Sequence, residues 1–271
     1  MDEWVAVVRD PRFSPLSVEK DRAILQAVAD RLGGAQMVEE QRLTTLAKEV
    51  FAQTDFFLSM GRMTDTLAFL DEKRREGARV INNPQGVAQC ARGRLREVMD
   101  CLGMPVPPAS GAHGHWVKRG DAAAQRADDV VFVPPDASIQ DRADAFARRG
   151  VTDVVVEAHI PGDVVKFYGV ESTGFFRIFY PTDDGLTKFG LEKVNGPAHH
   201  YAFDAEALQQ AVENVARFLD VPIYGGDAII TSEGRFFVID FNDWPSFGRC
   251  LNEAADAIAS LAGRIMNNKK Q

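Results

Sequence analysis

The chain has 271 residues, of which 45% are apolar and 26% charged, enough for one large domain or two to three small ones with a true core. Its net charge of −8 argues against a nucleic-acid-binding protein, and no apolar run approaches the length of a membrane span. Three cysteines without metal-ligand spacing predict free thiols in a reducing compartment, so we expect a cytoplasmic protein.

Residues 1–84 alternate strands and helices, which predicts a small parallel sheet. Apolar, β-prone runs occur near residues 4–8, 35–38, 56–60 and 79–82. A helix is predicted from an N-cap at Ser17 to the Gly33–Gly34 pair, because its apolar residues recur with a period near 3.6. The segment Ser59–Arg62 lies where a strand passes into a loop, a usual place for ligand contacts, although a plain turn explains it equally well.

Residues 84–163 begin with a helix and continue as a β-β-α-β unit. Pro84 is expected to open one helix that runs to Leu102 and buries Cys90 and Cys101. A stiff proline-rich connector follows, then strands near 115–118, 130–133 and 153–157, with a capped helix before the last of them. Lys118 ends the first of these strands, where a surface lysine is the plain alternative to a ligand contact.

Two further runs, 165–170 and 175–180, alternate as a hairpin. Lys166 and Tyr168 share one of its faces. Arg177 stands among aromatic residues and needs either an anion or an exposed edge, and we expect it to face a phosphate. Residues 184–200 read as a loop, and helices are predicted after Asp204 and near 252–266.

The segment 225–247 predicts a β-hairpin. Apolar runs at 228–231 and 236–239 flank Ser-Glu-Gly-Arg, which is a turn signal. With a two-residue turn at Glu-Gly, Thr231 pairs with Phe236, and the same count places Asp227 opposite Asp240.

This pairing predicts a divalent-cation site. Asn242 lies two residues beyond Asp240 and therefore points to the same face. The facing carboxylates repel each other, and the hairpin has no basic residue except Arg235 at its far end. A hard cation such as Mg²⁺ would relieve that repulsion, since it prefers oxygen ligands. The alternative is a pair of solvent-facing strand ends, and a register slip of one residue would undo the pairing.

Gly-Gly-Asp-Ala-Ile-Ile, a short hairpin, and then Val-Ile-Asp-Phe-Asn-Asp-Trp-Pro-Ser-Phe resemble the C-terminal core of ATP-grasp enzymes. That superfamily includes glutathione synthetase, D-alanine–D-alanine ligase, ribosomal-protein glutamate ligases and inositol trisphosphate kinases. The remaining segments resemble the family in the expected order. The resemblance implies an α/β (α+β) ATP-grasp fold: a small parallel pre-ATP-grasp domain at 1–84 and an ATP-grasp domain at 85–271, with a lid at about 111–160 and a metal-binding core at about 161–271.

The resemblance also implies ATP and Mg²⁺, or Mn²⁺ in its place, as cofactors. The metal ligands would be Asp227, Asp240 and Asn242. The nucleotide contacts would be Arg92, Lys118, Glu157, Ala158, His159, Ile160, Asp163 and Lys166. The catalytic or acceptor contacts would be Arg177, Lys188, Lys193 and Asn195. The chain departs from the family in two places. Arg92 stands where a lysine is usual, and the loop at 119–126 has one glycine where relatives often have a glycine- and serine-rich loop.

Most members of this family phosphorylate a carboxylate and let an amine attack the acylphosphate. The resemblance therefore implies a ligase acting on a small-molecule or peptide acceptor. One alternative is a kinase for an inositol phosphate-like acceptor, with a basic pocket drawn from Arg62, Arg177, Lys188, Lys193 and Arg249. A nucleotide-binding module without turnover is a second alternative, and a homodimer is left open.

Overall fold

Eleven strands and eight helices build the part of the chain that the structure, a computed structural model, describes: residues 4–43, 45–46, 48–121, 124, 126–183 and 194–267. The strands form three sheets, of four, four and three strands. No helix in these ranges is both long and apolar enough to cross a membrane.

The N-terminal sheet is parallel, in the order β2-β1-β3-β4, as predicted. Its elements are β1 (Val5–Val8), α1 (Val18–Arg31), β2 (Gln36–Glu39), α2 (Glu40–Leu43), β3 (Phe56–Ser59), α3 (Thr64–Arg75) and β4 (Arg79–Ile81). All four side chains of β1 are buried, because helices or loops cover both faces of the sheet. Ser17 stands at the N-cap of α1 but makes no side-chain capping bond.

The expected single helix from Pro84 is two helices, α4 (Pro84–Gln89) and α5 (Arg92–Cys101). Tertiary contacts explain the break. A side chain at Gly86 would overlap the carbonyl of Leu219, so α4 packs closely on a later helix, whereas Gly93 N donates to Gly120 O at 2.9 Å and draws α5 toward the second sheet. The break makes Arg92 the first residue of α5. It also leaves Cys101 exposed, so the predicted core position for that thiol was wrong.

The second sheet is the predicted β-β-α-β unit, which we call the lid. It comprises β5 (His115–Arg119), β6 (Val130–Val133), α6 (Ile139–Arg148) and β7 (Val154–Ala158), with β5 central and antiparallel to both neighbours. Ser138 Oγ accepts from Asp141 N at 3.2 Å and caps α6, whose Phe146 packs on Val117 and Val133.

The third sheet, which we call the core sheet, is antiparallel in the order β11-β10-β8-β9. Its elements are β8 (Asp163–Val170), β9 (Phe175–Phe179), α7 (Ala205–Leu219), β10 (Ile223–Ile230), β11 (Phe236–Asp243) and α8 (Leu251–Asn267). One face packs on α7 and the other on α8. Because α8 also packs on α1, one apolar cluster joins the core sheet to the N-terminal sheet.

The β10–β11 hairpin has a different turn from the predicted one. Thr231 N donates to Arg235 O at 2.9 Å, and Gly234 has φ 76°, which is the geometry of a three-residue turn. Ile230, not Thr231, therefore faces Phe236. A bulge at Ile239 then shifts the register back by one residue, so that Asp227 does face Asp240.

Candidate active site

A cleft of about 500 Å³ opens where the three sheets meet. Loops of the N-terminal sheet, the lid with the segment after β7, and the core sheet all line it. The charged and polar lining residues include Arg9, Ser14, Ser17, Lys20, Arg62, Arg92, Lys118, Glu157, His159, Lys166, Asn195, Asp227, Asp240, Asn242 and Arg249.

The predicted metal ligands lie together in this cleft. Asn242 Nδ2 donates to Asp240 Oδ2 at 2.9 Å, so the amide oxygen is the atom left for a cation. Asp227 Oδ1 pairs with Lys166 Nζ of the neighbouring strand at 2.6 Å, and Asp240 Oδ1 pairs with a guanidinium nitrogen of Arg92 at 3.3 Å. The hairpin itself supplies no such partner, but β8 and α5 do.

Asp240 is held in its charged form. Burial alone would raise its pKa, but Arg92, the hydrogen bond from Asn242, and Lys118 together hold the pKa below its ordinary value. An ionised carboxylate is what a divalent cation requires.

The donor set fits Mg²⁺ bound together with phosphate. Two carboxylates and one amide oxygen cannot fill an octahedral shell, and in the described ranges no group of three His, Cys, Asp or Glu side chains could hold a metal. Mg²⁺ commonly keeps waters and takes its remaining ligands from substrate phosphates, so an incomplete protein shell suits it.

Three cations, Arg92, Lys118 and Lys166, surround the predicted metal ligands. Arg92 is buried and donates to Arg119 O at 2.8 Å, and its buried Nε has no partner among the described residues. Lys118 Nζ donates to Ile239 O at 3.0 Å and also binds Glu157. The carbonyl that Lys118 contacts belongs to the bulge residue, so the same irregularity aligns the carboxylates and anchors a cation from the lid.

The segment after β7 lines the cleft and carries three of the nucleotide contacts that the resemblance implies, Ala158, His159 and Ile160. Ala158 N donates to Pro108 O at 2.7 Å and His159 N to Gly114 O at 2.8 Å, so these two backbone N–H groups are already paired within the protein. The His159 ring accepts from Trp116 Nε1 at Nδ1, at 3.1 Å. Burial, followed by the charge of His113, holds the pKa of His159 below its ordinary value, so the ring is neutral at pH 7.

Two of the expected nucleotide contacts, Asp163 and Glu157, are paired within the protein. Asp163 lies outside the cleft lining, and its carboxylate accepts from His199 N at 2.7 Å and Tyr201 N at 2.9 Å. Strand alternation is the reason, because Val165 and Phe167 on the same face of β8 are buried toward α7. Glu157 does line the cleft, but it binds Lys118 and lies 3.4 Å from Arg96.

The two predicted catalytic residues that the structure describes, Arg177 and Asn195, are not brought together. Arg177 lies outside the cleft lining on the edge strand β9 and pairs with Glu253 of α8 at 2.5 Å, so the expectation of a phosphate-facing residue was wrong and the exposed edge explains it. Asn195 reaches the cleft but donates through Nδ2 to Ile160 O at 3.0 Å and Gly162 O at 2.9 Å, in the segment after β7. Lys188 and Lys193 lie outside the described residues.

Sequence reasoning singled out the segment 59–62 of the N-terminal sheet, with Arg62, but missed Arg9 beside it. Arg9 follows β1 and donates to Met60 O at 3.2 Å and Trp244 O at 2.8 Å, which ties this sheet to the end of β11. Arg62 follows β3 and pairs with Asp243 at 2.7 Å. Both stand at carboxyl ends of parallel strands, and the signal that singled out 59–62 was also available for Arg9.

Comparison with known proteins finds likeness in structure only. No protein-family model matches the chain, and no curated protein does. D-alanyl-alanine synthetase A from Vibrio cholerae O1 biovar eltor aligns over 99% of this chain and 100% of its own, with a TM-score of 0.68 at 13% identity. D-cycloserine synthetase DcsG aligns over 95% and 99%, with 0.66 at 15%. ATP-grasp ligase PsnB, complexed with a minimal precursor, aligns over 96% and 99%, with 0.60 at 14%. At such identities the likeness shows a shared fold, with nearly whole-chain coverage.

Proposed function

For a chain with the ATP-grasp fold, we propose an ATP- and Mg²⁺-dependent carboxylate–amine ligase that acts through an acylphosphate on a small-molecule or peptide acceptor. One observation carries this proposal. Asp227, Asp240 and Asn242 share a cleft with the cations Arg92, Lys118 and Lys166, between the lid and the core sheet.

The charge balance of the cleft explains the expected Mg²⁺ requirement. The three cations are already paired with Asp240, Glu157 and Asp227. A triphosphate entering this site would add negative charge that the side chains alone do not offset. Mg²⁺ held by Asp227, Asp240 and Asn242 would supply the missing positive charge and polarise the phosphate.

The proposed reaction has two steps. A carboxylate oxygen attacks the γ-phosphorus, the bond to the bridging oxygen breaks, and ADP leaves. An amine then attacks the acyl carbon, inorganic phosphate leaves, and the amine loses a proton. In the first step Arg92, Lys118 and Lys166 orient the phosphates and stabilise charge on the transferring group.

The ligase is favoured over both alternatives. The names of the structural neighbours describe synthetases and ligases, which supports the ligase. A polyphosphate-binding kinase needs a dense basic pocket, yet Arg177 points away from the cleft and Arg62 is committed to Asp243. A module without turnover would not need the metal-ligand set that this chain retains.

The first test is thermal stability with ATP, ADP and GTP, each with and without Mg²⁺. We expect a Mg²⁺-dependent rise selective for adenine nucleotides, since a ligand that binds the native state stabilises it. Asp240→Asn should abolish that dependence, whereas Asp256→Asn, at a surface pair with Arg31, should not. An unchanged nucleotide affinity of the Asp240→Asn variant in the presence of Mg²⁺ would contradict the assignment of Asp240 as a metal ligand.

The second test traps the intermediate. With candidate carboxylates, ATP and Mg²⁺, hydroxylamine in place of the amine should yield a hydroxamate together with ADP and phosphate. Stable transfer of phosphate to an acceptor, without hydroxamate, would favour the kinase instead.

A further inference from the structure

One stretch of the cleft wall remains after the nucleotide and metal positions are accounted for. It is formed by the segment after β1, the start of α1 and the segment 244–249 that follows β11. We call it the N-terminal wall and define it by Phe13, Leu16, Lys20 and Gly248.

The charges behind this wall are paired internally. Arg9 contacts Asp21 at 3.3 Å, and Arg62 contacts Asp243 at 2.7 Å. These groups are largely buried, so they hold the loops and do not attract a ligand strongly. Arg249 also lines the cleft, but it donates to Tyr180 O at 3.3 Å and its guanidinium lies over Phe179.

Lys20 differs from these paired cations. It is exposed and forms no ion pair with any residue that the structure describes. Its side chain crosses Gly248, with Cδ 3.1 Å and Nζ 3.5 Å from the point that a Cβ of residue 248 would occupy. The missing side chain at Gly248 thus lets an ammonium group lie across the cleft wall.

Apolar surface stands beside this ammonium group. Leu16 lines the cleft and is 60% exposed, the second most exposed large apolar side chain after Phe218 in the described ranges. Phe13, half-buried, lines the same wall. Exposed apolar side chains that converge with a cation in a cleft are typical of a site for a molecule that has both an apolar and an anionic part.

We infer that the N-terminal wall binds the amine acceptor, and that this acceptor is an α-amino acid with an apolar side chain. Its amine attacks the acyl carbon, its carboxylate does not react and pairs with Lys20, and its side chain packs on Phe13 and Leu16. This inference rests on the proposed ligase function and assigns the selection of the amine substrate to residues outside the nucleotide site.

The test measures amino-acid binding to the full chain saturated with Mg²⁺ and a non-hydrolysable ATP analogue, by calorimetry. The probes are leucine, leucinamide, which lacks the carboxylate, and aspartate, which lacks the apolar side chain. Leucine should bind at least about tenfold more tightly than either of the other two. Leucinamide loses the charge contact with Lys20, and aspartate loses the apolar burial against Phe13 and Leu16.

Variants separate the two contacts. Lys20→Met should weaken leucine about tenfold and leave leucinamide unchanged, whereas Arg22→Met on the same helix, whose partner is Glu39, should change neither. Leu16→Asp should weaken both probes, with Leu102→Asp, exposed at the end of α5, as its control. All four positions are exposed, so we expect folded variants.

Three results would overturn the inference: equal binding of the three probes, no amino-acid binding to the nucleotide-loaded protein, or a preference for leucine over leucinamide that survives Lys20→Met. The proposed function fails separately, if the ATP analogue itself does not bind in the presence of Mg²⁺.

Discussion

Lys166 and Asp227 face each other across β8 and β10 and form an ion pair of 2.6 Å between Nζ and Oδ1. A carboxylate that the sequence assigns to a cation therefore carries its own counter-ion. The pair lies beside Asp240, whose own counter-ion is Arg92. These built-in ammonium and guanidinium groups explain how two carboxylates can face each other before any metal binds.

Lys166→Met should accordingly alter the Mg²⁺ dependence as well as the rate. Without the ammonium group, Asp227 and Asp240 repel each other, and the site should bind Mg²⁺ more tightly in the absence of nucleotide. Turnover should fall about a hundredfold, because a cation on the transferring phosphate is lost. A Mg²⁺ titration followed by ADP release checks both effects, and Lys166→Arg should retain most activity. Tighter Mg²⁺ binding without loss of rate would show that Lys166 serves the carboxylates alone.

Local sequence was enough for most of the fold. The 3.6-residue period placed α1 and α7, and β-prone runs placed the strands, because these elements bury a face set by their own residues. The break between α4 and α5 was not predictable, since it follows from the contact of Gly86 with Leu219, which is distant in sequence.

The facing of Asp227 and Asp240 was predicted, but the turn from which it was counted was not the one observed. The assumed two-residue turn was wrong, and the bulge at Ile239 restored the facing of Asp227 and Asp240. The expectation that Arg177 faces a phosphate was wrong because its partner, Glu253, is 76 positions away and no local pattern reveals that ion pair. Phe13, Leu16 and Lys20 of the N-terminal wall were not singled out because they come from separate segments with no shared motif.

Asn195→Ala tests the link between the segment after β7 and Asn195, which precedes α7 in the chain. Its amide donates to Ile160 O and Gly162 O, so removal leaves this turn less constrained. Nucleotide affinity should fall about threefold to tenfold, as expected for one or two lost hydrogen bonds, with a smaller effect on the rate at saturating ATP. Fluorescent-nucleotide titration measures the affinity. Asn214→Ala, at an exposed bond to Arg217, is the control. A purely kinetic defect would place Asn195 at the phosphate instead.

His159 predicts a specific pH dependence of stability. Its folded-state pKa is lowered by burial from the ordinary 6.5, so below that pH the unfolded chain binds more protons than the folded one. Stability should therefore decline as pH falls from 6.5 toward the lower folded value, and be unaffected by His159 above pH 7. His159→Gln should show a flatter profile between pH 5 and 7 in chemical denaturation than the unsubstituted protein. Identical slopes would exclude this role for His159.

At Gly226 the backbone packing of β10 against β11 bears directly on the position of the proposed metal ligand Asp240. A Cβ at this residue would overlap the carbonyl of Asp240 and approach Phe167 Cζ to 2.5 Å. Neither the β11 backbone nor the buried Phe167 ring can move far, so Gly226→Ala should lower the free energy of unfolding by about 1–3 kcal/mol. The strain falls on the strand that carries Asp240, so Mg²⁺-dependent nucleotide binding should weaken as well. Gly263→Ala in α8, where the nearest atom would be 3.8 Å away, should be neutral or stabilising. Urea denaturation and nucleotide titration of both variants make the comparison, and a Gly226→Ala protein with unchanged stability would contradict the packing argument.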